Sequence, residues 1–317
     1  MKALITGISG FAGSHLAEFL LDKDYKVFGN FYDKSTFSNL DGFIDKIELF
    51  ECDMRNYNNL KQIIKKAQPD EIYQLAAISF FPTAIKNPKM TFDANLYGTL
   101  NLYQAIIELK INPKVLFVGS ADEYGVVNEN DLPIKENCPL RPVNPYSISK
   151  VSADLMSYFY FKNNNLNIVR VRPFNHIGAR QSFNFVCSSF AKQITEIEKG
   201  LKKPIIRVGN LETKKDFTDV RDMVNAYWLA LQKGEYGEVY NICLGEVRTI
   251  RSVLDLLLNL SKLKNIQIKQ DPAKTRLLDV KILQGDFSKF KNATGWKSEI
   301  PFEKTIEDLL DYWRKKT

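Results

Sequence analysis

The stretch Lys2-Ala3-Leu4-Ile5-Thr6-Gly7-Ile8-Ser9-Gly10-Phe11-Ala12-Gly13 decides the fold of this 317-residue chain. Lys2 to Thr6 is a short apolar run of strand character, and from Phe11 onward Ala17, Phe19, Leu20 and Leu21 follow a helical pattern. Between the two, Gly7, Gly10 and Gly13 form a G-x-x-G-x-x-G turn, a variant of the dinucleotide fingerprint. Glycines there let the backbone close on a pyrophosphate, whose charge is met by free N–H groups at the helix start. Gly7, Gly10, Phe11, Ala12 and Gly13 are therefore candidate cofactor contacts of a Rossmann-type α/β unit.

The chain continues in the same rhythm. A second strand, Tyr25 to Tyr32, leads to Asp33, 20 residues after Gly13. An acid at that distance suits a ribose 2′-hydroxyl and repels a 2′-phosphate, which favours NAD(H), while the adjacent Lys34 leaves NADP(H) open. Ile47 to Glu51 reads as a third strand that brings Asp53 and Met54 to the adenine, and Glu71 to Ala77 as a fourth that delivers Leu75, Ala76, Ala77 and then Ser79. Lys114 to Val118 is a fifth, ending at Gly119-Ser120. Helical patterns such as Asn58 to Ala67 and Tyr97 to Leu109 lie between them, so the prediction is a doubly wound parallel sheet with ligands at the C-terminal strand ends. A long helix from Tyr146 to about Phe161 and a sixth strand, Asn167 to Val171, follow, after which Arg172-Pro173-Phe174-Asn175-His176 leaves the sheet. The expected division is an NAD(P)-binding domain over 1–175 and a smaller α/β substrate domain over 176–317. A helix at Asp216 to Leu231 and a strand at Glu238 to Cys243 return to the first.

Composition narrows the function classes. An apolar fraction of 44% and a charged fraction of 26% describe a soluble globular protein. No run approaches the roughly 18 apolar residues of a membrane span, and the N-terminus has no signal-peptide pattern, so the expectation is a cytoplasmic protein. Cys52, Cys138, Cys187 and Cys243 are scattered without metal or disulfide spacing, and neither His15 nor His176 has a ligand partner nearby, so no metal is expected. The net charge of +7 is spread among acids, which argues against nucleic acid and for a few cations gathered at a diphosphate.

Asn144-Pro145-Tyr146-Ser147-Ile148-Ser149-Lys150 adds the chemistry. Tyr146 and Lys150 share a helix face, and an ammonium near a phenol favours the phenolate, moving a poor acid/base toward working pH. Together with the glycine turn and Ser120, this pair resembles the short-chain dehydrogenase/reductase superfamily, in its extended branch acting on nucleotide sugars. Closer similarity is to the GDP-mannose 4,6-dehydratases and GDP-4-keto-6-deoxymannose reductases. The stretches Asn175-His176-Ile177-Gly178-Ala179-Arg180-Gln181-Ser182, Phe190 to Ile194, and Leu278-Asp279-Val280 are most like the reductases.

The resemblance implies Tyr146 as acid/base, Lys150 on the nicotinamide ribose and Ser120 on the reacting sugar oxygen. It also implies substrate contacts from Ser79, Asn175, Lys192, Arg207, Lys215 and Arg276, and a homodimer formed by the helices from Tyr97 and Tyr146. Leu155, Tyr158 and Phe159 fit either that interface or the monomer's interior.

The chain departs from the family at three points. Lys215 stands where an arginine usually precedes Asp-Phe, Tyr32 stands where GDP-sugar enzymes often carry arginine, and Ser120-Ala121-Asp122-Glu123 places Asp122 at the usual glutamate with no acid at Ala121. Asp122 and Glu123 read either as catalytic carboxylates or as a solvated loop. An incomplete dehydratase set favours simple hydride transfer at C4 of a GDP-linked (6-deoxy)hexose, in either direction. A 4,6-dehydratase, a 4-epimerase and a non-catalytic nucleotide-sensing scaffold are the alternatives.

Overall fold

The computed structural model describes residues 1–274 and 280–317. Seven strands form one parallel sheet in the order β10-β6-β5-β4-β1-β2-β3: β1 Lys2–Thr6, β2 Lys26–Phe31, β3 Glu48–Glu51, β4 Glu71–Gln74, β5 Lys114–Val118, β6 Ile168–Pro173 and, much later in the chain, β10 Val239–Ile242. The order reverses between β1 and β4, and there the loops part to leave the crevice of a doubly wound sheet.

Alternation along β1 shows why the sheet is covered on both sides. Ala3 and Ile5 pack with Leu16, Ala17 and Leu20 of α1 (Phe11–Leu21) and with Val224 and Tyr227 of α8 (Val220–Lys233). Leu4, pointing the other way, packs with Leu60 and Ile63 of α2 (Tyr57–Ala67) and with Leu102 and Tyr103 of α5 (Gly98–Glu108). Two short helices, α3 (Phe81–Lys86) and α4 (Pro88–Phe92), and a π-helical turn at Asp93–Tyr97 precede α5, and α6 (Pro145–Asn164) lies beside it.

A separate core joins α7 (Val186–Glu198), α9 (Ile250–Leu260) and α11 (Phe302–Lys316) through Phe190, Ile194, Leu254, Leu257, Ile306 and Leu310. Beside it, β7 (Asn175–Ile177), β9 (Lys214–Asp219), β11 (Val247–Thr249) and β13 (Ile282–Leu283) form a small sheet, while β8 (Ile205–Val208) pairs with β12 (Gln267–Gln270). The helix α10 (Ser288–Thr294) packs against α8 and β10. Among the described residues, no helix is long and apolar enough to cross a membrane.

Three elements differ from their sequence expectation. Glu71–Ala77 is strand only to Gln74, because Leu75 N–H and Ala76 N–H both donate to Thr6 Oγ1 at 3.0 Å, which draws the chain off the sheet. The sixth strand runs on through Pro173, since β10 supplies a parallel partner up to Ile242↔Pro173. Asp216–Leu231 is not one helix: its first four residues belong to β9, and Asp219 caps α8 by accepting Arg221 N–H at 2.8 Å.

Candidate active site

The glycine turn is built by backbone sterics. Gly7 has φ +70°, and a Cβ there would lie 3.0 Å from Ala76 Cα. A Cβ on Gly13 would lie 2.4 Å from Gly7 O, so only glycine lets the first turn of α1 fold this tightly onto β1. Gly10 begins the helix without a side-chain cap and no acid lies in the first turn, which leaves the leading N–H groups free for an anion.

From this turn a cleft of about 640 Å³ extends over the C-terminal strand ends, ample for an organic ligand. Most of the residues singled out from the sequence line it. Gly7, Gly10, Phe11, Ala12 and Gly13 meet Leu75, Ala76, Ala77 and Ser79 across its middle, Asp33, Asp53 and Met54 stand at one end, and Ser120, Asp122, Tyr146, Lys150 and Asn175 stand at the other. Asp33 accepts Ser35 N–H at 2.9 Å and Ser35 Oγ–H at 2.5 Å, and these bonds hold its carboxyl below the usual carboxylate range. Asp53 is engaged by the Arg55 guanidinium, with Nε at 2.9 Å from Oδ2. Arg55, Ser9, Thr36 and Gln181 also line the cleft. Ser9 sits inside the glycine turn itself, while Arg55, Thr36 and Gln181 arrive on separate segments that no spacing in the sequence singles out.

Three groups proposed for the substrate end lie off this cleft wall. Lys192 pairs with Glu196 one turn along α7 and sits over the Phe183 ring, Arg207 is exposed on β8, and Lys215 donates to Val280 O at 2.9 Å, so none of the three is a cleft-lining residue. Arg276 lies outside the described residues.

The helix bearing Tyr146 and Lys150 begins with a reciprocal cap. Asn144 Oδ1 accepts Ser147 N–H at 2.9 Å, and Pro145 occupies the first helical position, where a missing N–H costs nothing. Asn95, buried in the π-helical turn, accepts Ile78 N–H at 2.7 Å and donates to Ser149 Oγ at 2.9 Å, tying the 75–79 loop to this helix. The Lys150 ammonium donates to Val118 O at 2.7 Å. Burial lowers Lys150 to about 8, while the Glu123 and Asp154 carboxylates oppose that fall.

The phenol departs from the sequence expectation. Burial, reinforced by the Asp122 carboxylate, raises Tyr146 above its ordinary value, and the bond with the Ser120 hydroxyl pulls only partly the other way. The protein alone therefore keeps this phenol protonated at neutral pH.

Glu123 corrects the solvated-loop alternative. It is fully buried and accepts Ser120 N–H at 2.8 Å through one oxygen, while the other takes Arg172 Nε at 3.1 Å. Arg172 also grips Asp154, at 2.8 Å and 2.6 Å, and Arg170 reaches Asp154 at 2.6 Å. Burial and the nearby Asp154 raise Glu123 well above the carboxylate range, against the pull of Arg172. Glu123 thus braces the strand end from below, and Asp122 alone of the pair faces the cleft.

The fold and this crevice define a Rossmann-type α/β protein with a long cleft across the carboxyl ends of its parallel strands. Within that class, the chain belongs to the GDP-mannose 4,6 dehydratase family, which it matches over residues 4–309. It is 33% identical over 315 residues to the GDP-6-deoxy-D-mannose reductase of Pseudomonas aeruginosa, covering 99% of this chain and 98% of that one. To the GDP-mannose 4,6-dehydratase of Yersinia enterocolitica it is 30% identical over 348 residues, covering 98% and 92%. A solved structure of RMD from Pseudomonas aeruginosa complexed with NADPH superimposes with a TM-score of 0.88 at 31% identity, covering 100% of this chain and 99% of the other.

Proposed function

We propose that the protein is a reductase that transfers hydride from a nicotinamide dinucleotide to C4 of a GDP-linked 4-keto-6-deoxyhexose. The observation that supports this most is the company Tyr146 keeps. It shares the cleft with Ser120 and Lys150, a single adjacent carboxylate, Asp122, stands beside it, and Glu123 is turned away under Arg172. A ketone reduction needs one proton donor and one oxygen-positioning group, whereas dehydration also needs a base at C5 and an acid at O6.

A bound nicotinamide would supply the hydride to the carbonyl carbon. The protonated Tyr146 phenol then gives its proton to the developing C4 alkoxide, and the Ser120 hydroxyl hydrogen-bonds the same oxygen. Lys150 orients the nicotinamide ribose, and its ammonium form is charge support for the phenol's loss of a proton. The residues present suit such a dinucleotide. The Gly7 and Gly13 positions leave a cradle a Cβ would fill, the uncapped start of α1 suits the pyrophosphate, and Asp33 favours a ribose 2′-hydroxyl, so NAD(H) is preferred with NADP(H) open. The core formed mostly by residues after 176 carries the sugar nucleotide, with Ser79 and Asn175 on the cleft wall. Leu155 and Phe159 on α6, 56% and 53% exposed, form the apolar face of a homodimer.

The named relatives also support a second reading, a GDP-mannose 4,6-dehydratase with Asp122 as its base. The test is to give the purified protein GDP-4-keto-6-deoxymannose with NADH or NADPH, and separately GDP-mannose. Loss of nicotinamide absorbance with a product two hydrogens heavier is expected from the first. Loss of water from GDP-mannose without net nicotinamide change would make it the dehydratase, and no turnover of either would remove both readings.

A further inference from the structure

Tyr227 is the one residue of α8 that lines the cleft. The residue is 1% exposed, in the core layer that includes Ile5, Ile8 and Val118, yet no hydrogen bond to its hydroxyl occurs among the described residues. The other deeply buried tyrosines are treated differently. Tyr73 donates to Glu71 at 2.7 Å, Tyr103 pairs with Ser157 at 2.7 Å, and Tyr124 donates to Asn241 at 2.7 Å. The Tyr227 oxygen is not sealed in the core but opens onto the cleft, a phenol with no partner among the described residues. An unpartnered one in a ligand cleft points to a ligand that completes it.

Its place in the cleft says which part of the ligand. Tyr227 lies near enough to Tyr146 for the two phenols to repel as phenolates, which adds to the effect of burial in raising Tyr227. Pro173 and Phe174, at the end of β6, line the same end of the cleft, and the adenosine-end residues Asp33 and Asp53 stand at the other. We propose that Tyr227 is a cofactor-positioning residue whose hydroxyl hydrogen-bonds the nicotinamide half of a bound dinucleotide. The hydroxyl stays protonated at working pH and takes no part in proton transfer. It sets the depth and tilt of the ring against the substrate carbon.

This inference rests on the dinucleotide part of the proposed function, and the test separates the two. Calorimetric titrations of wild type and Tyr227→Phe use NADH, NADPH and ADP-ribose, which lacks the nicotinamide. Tyr227→Phe removes only the unpartnered oxygen, so the fold is kept, and unchanged ADP-ribose affinity confirms it. Loss of one neutral hydrogen bond predicts dinucleotide binding weakened about threefold to tenfold, with ADP-ribose unaffected. Unchanged dinucleotide affinity, or an equal loss for ADP-ribose, would overturn the assignment while leaving the reductase reading intact. A wild type that binds neither dinucleotide would overturn both.

Discussion

Replacing Asp154 by asparagine should cost the protein far more than its small change in shape suggests. Asp154 Oδ1 accepts Arg170 Nη1 at 2.6 Å, and Oδ2 accepts Arg172 Nη2 at 2.6 Å and Nε at 2.8 Å. The side chains of Asp154, Arg172 and Arg170 are only 1%, 5% and 9% exposed. Burial opposes ionisation of Asp154, yet Arg172 and Arg170 outweigh it and hold the carboxyl below its ordinary range. Without that charge, Arg172 keeps Glu123 as its one carboxylate, itself raised well above the carboxylate range, and Arg170 keeps the Gly237 carbonyl but has no carboxylate partner among the described residues. Breaking a buried pair of this kind costs about 3–5 kcal/mol. The matched control is Asp93→Asn at the Lys89–Asp93 pair, where the lysine is 88% exposed; screening there limits the loss to about 1 kcal/mol or less. Urea unfolding followed by tryptophan fluorescence measures both. Equal, sub-kilocalorie losses in the two variants would refute the claim that this network carries stability beneath the site.

Other expectations follow from single positions. Burial lowers His15 from 6.5 to about 4, so the folded state disfavours its protonation. That stability is present above pH 6.5 and is lost as pH falls toward 4, a loss of about 3 kcal/mol at ~1.4 kcal/mol per unit. His15→Gln should show a correspondingly shallower acid limb in thermal melts, and an identical one would contradict the assignment. Gly13→Ala places a methyl 2.4 Å from Gly7 O and 2.9 Å from Ile8 O. NADH and NADPH affinity should fall at least about tenfold, and calorimetry showing no loss would count against the cradle. Leu155→Glu combined with Phe159→Glu should halve the mass measured by light scattering, and a wild type already monomeric would end the dimer proposal.

Much of the fold was legible because it rests on local pattern. The glycine spacing, the alternation of β1 and the capped start of α6 are all written within a few residues of where they act. Polar groups whose partners lie far off were not. Asp216 is buried because Leu244 N–H and Gly245 N–H reach it at 2.8 Å, and nothing within 214–219 signals that a strand of lysines and acids will find such partners. Glu123 reads as loop because Arg172 is 49 residues away. Lys192, Arg207 and Lys215 share the charge a diphosphate needs, but charge does not give direction: their backbone elements aim them at Glu196, the surface and Val280 O. Tyr227 passes for an ordinary core residue on the apolar stripe of α8, and only the fold brings it to the cleft.

The central claim is that Tyr146 supplies the proton and that no carboxylate does. It is tested most directly by kcat for reduction of GDP-4-keto-6-deoxymannose in Tyr146→Phe and Asp122→Asn, each with dinucleotide affinity measured alongside. The account predicts a loss of about 10²–10⁴ in kcat for Tyr146→Phe, with dinucleotide binding kept, and less than about tenfold for Asp122→Asn. A Tyr146→Phe enzyme that turns over like wild type, or an Asp122→Asn enzyme that is the one to stop, would contradict it.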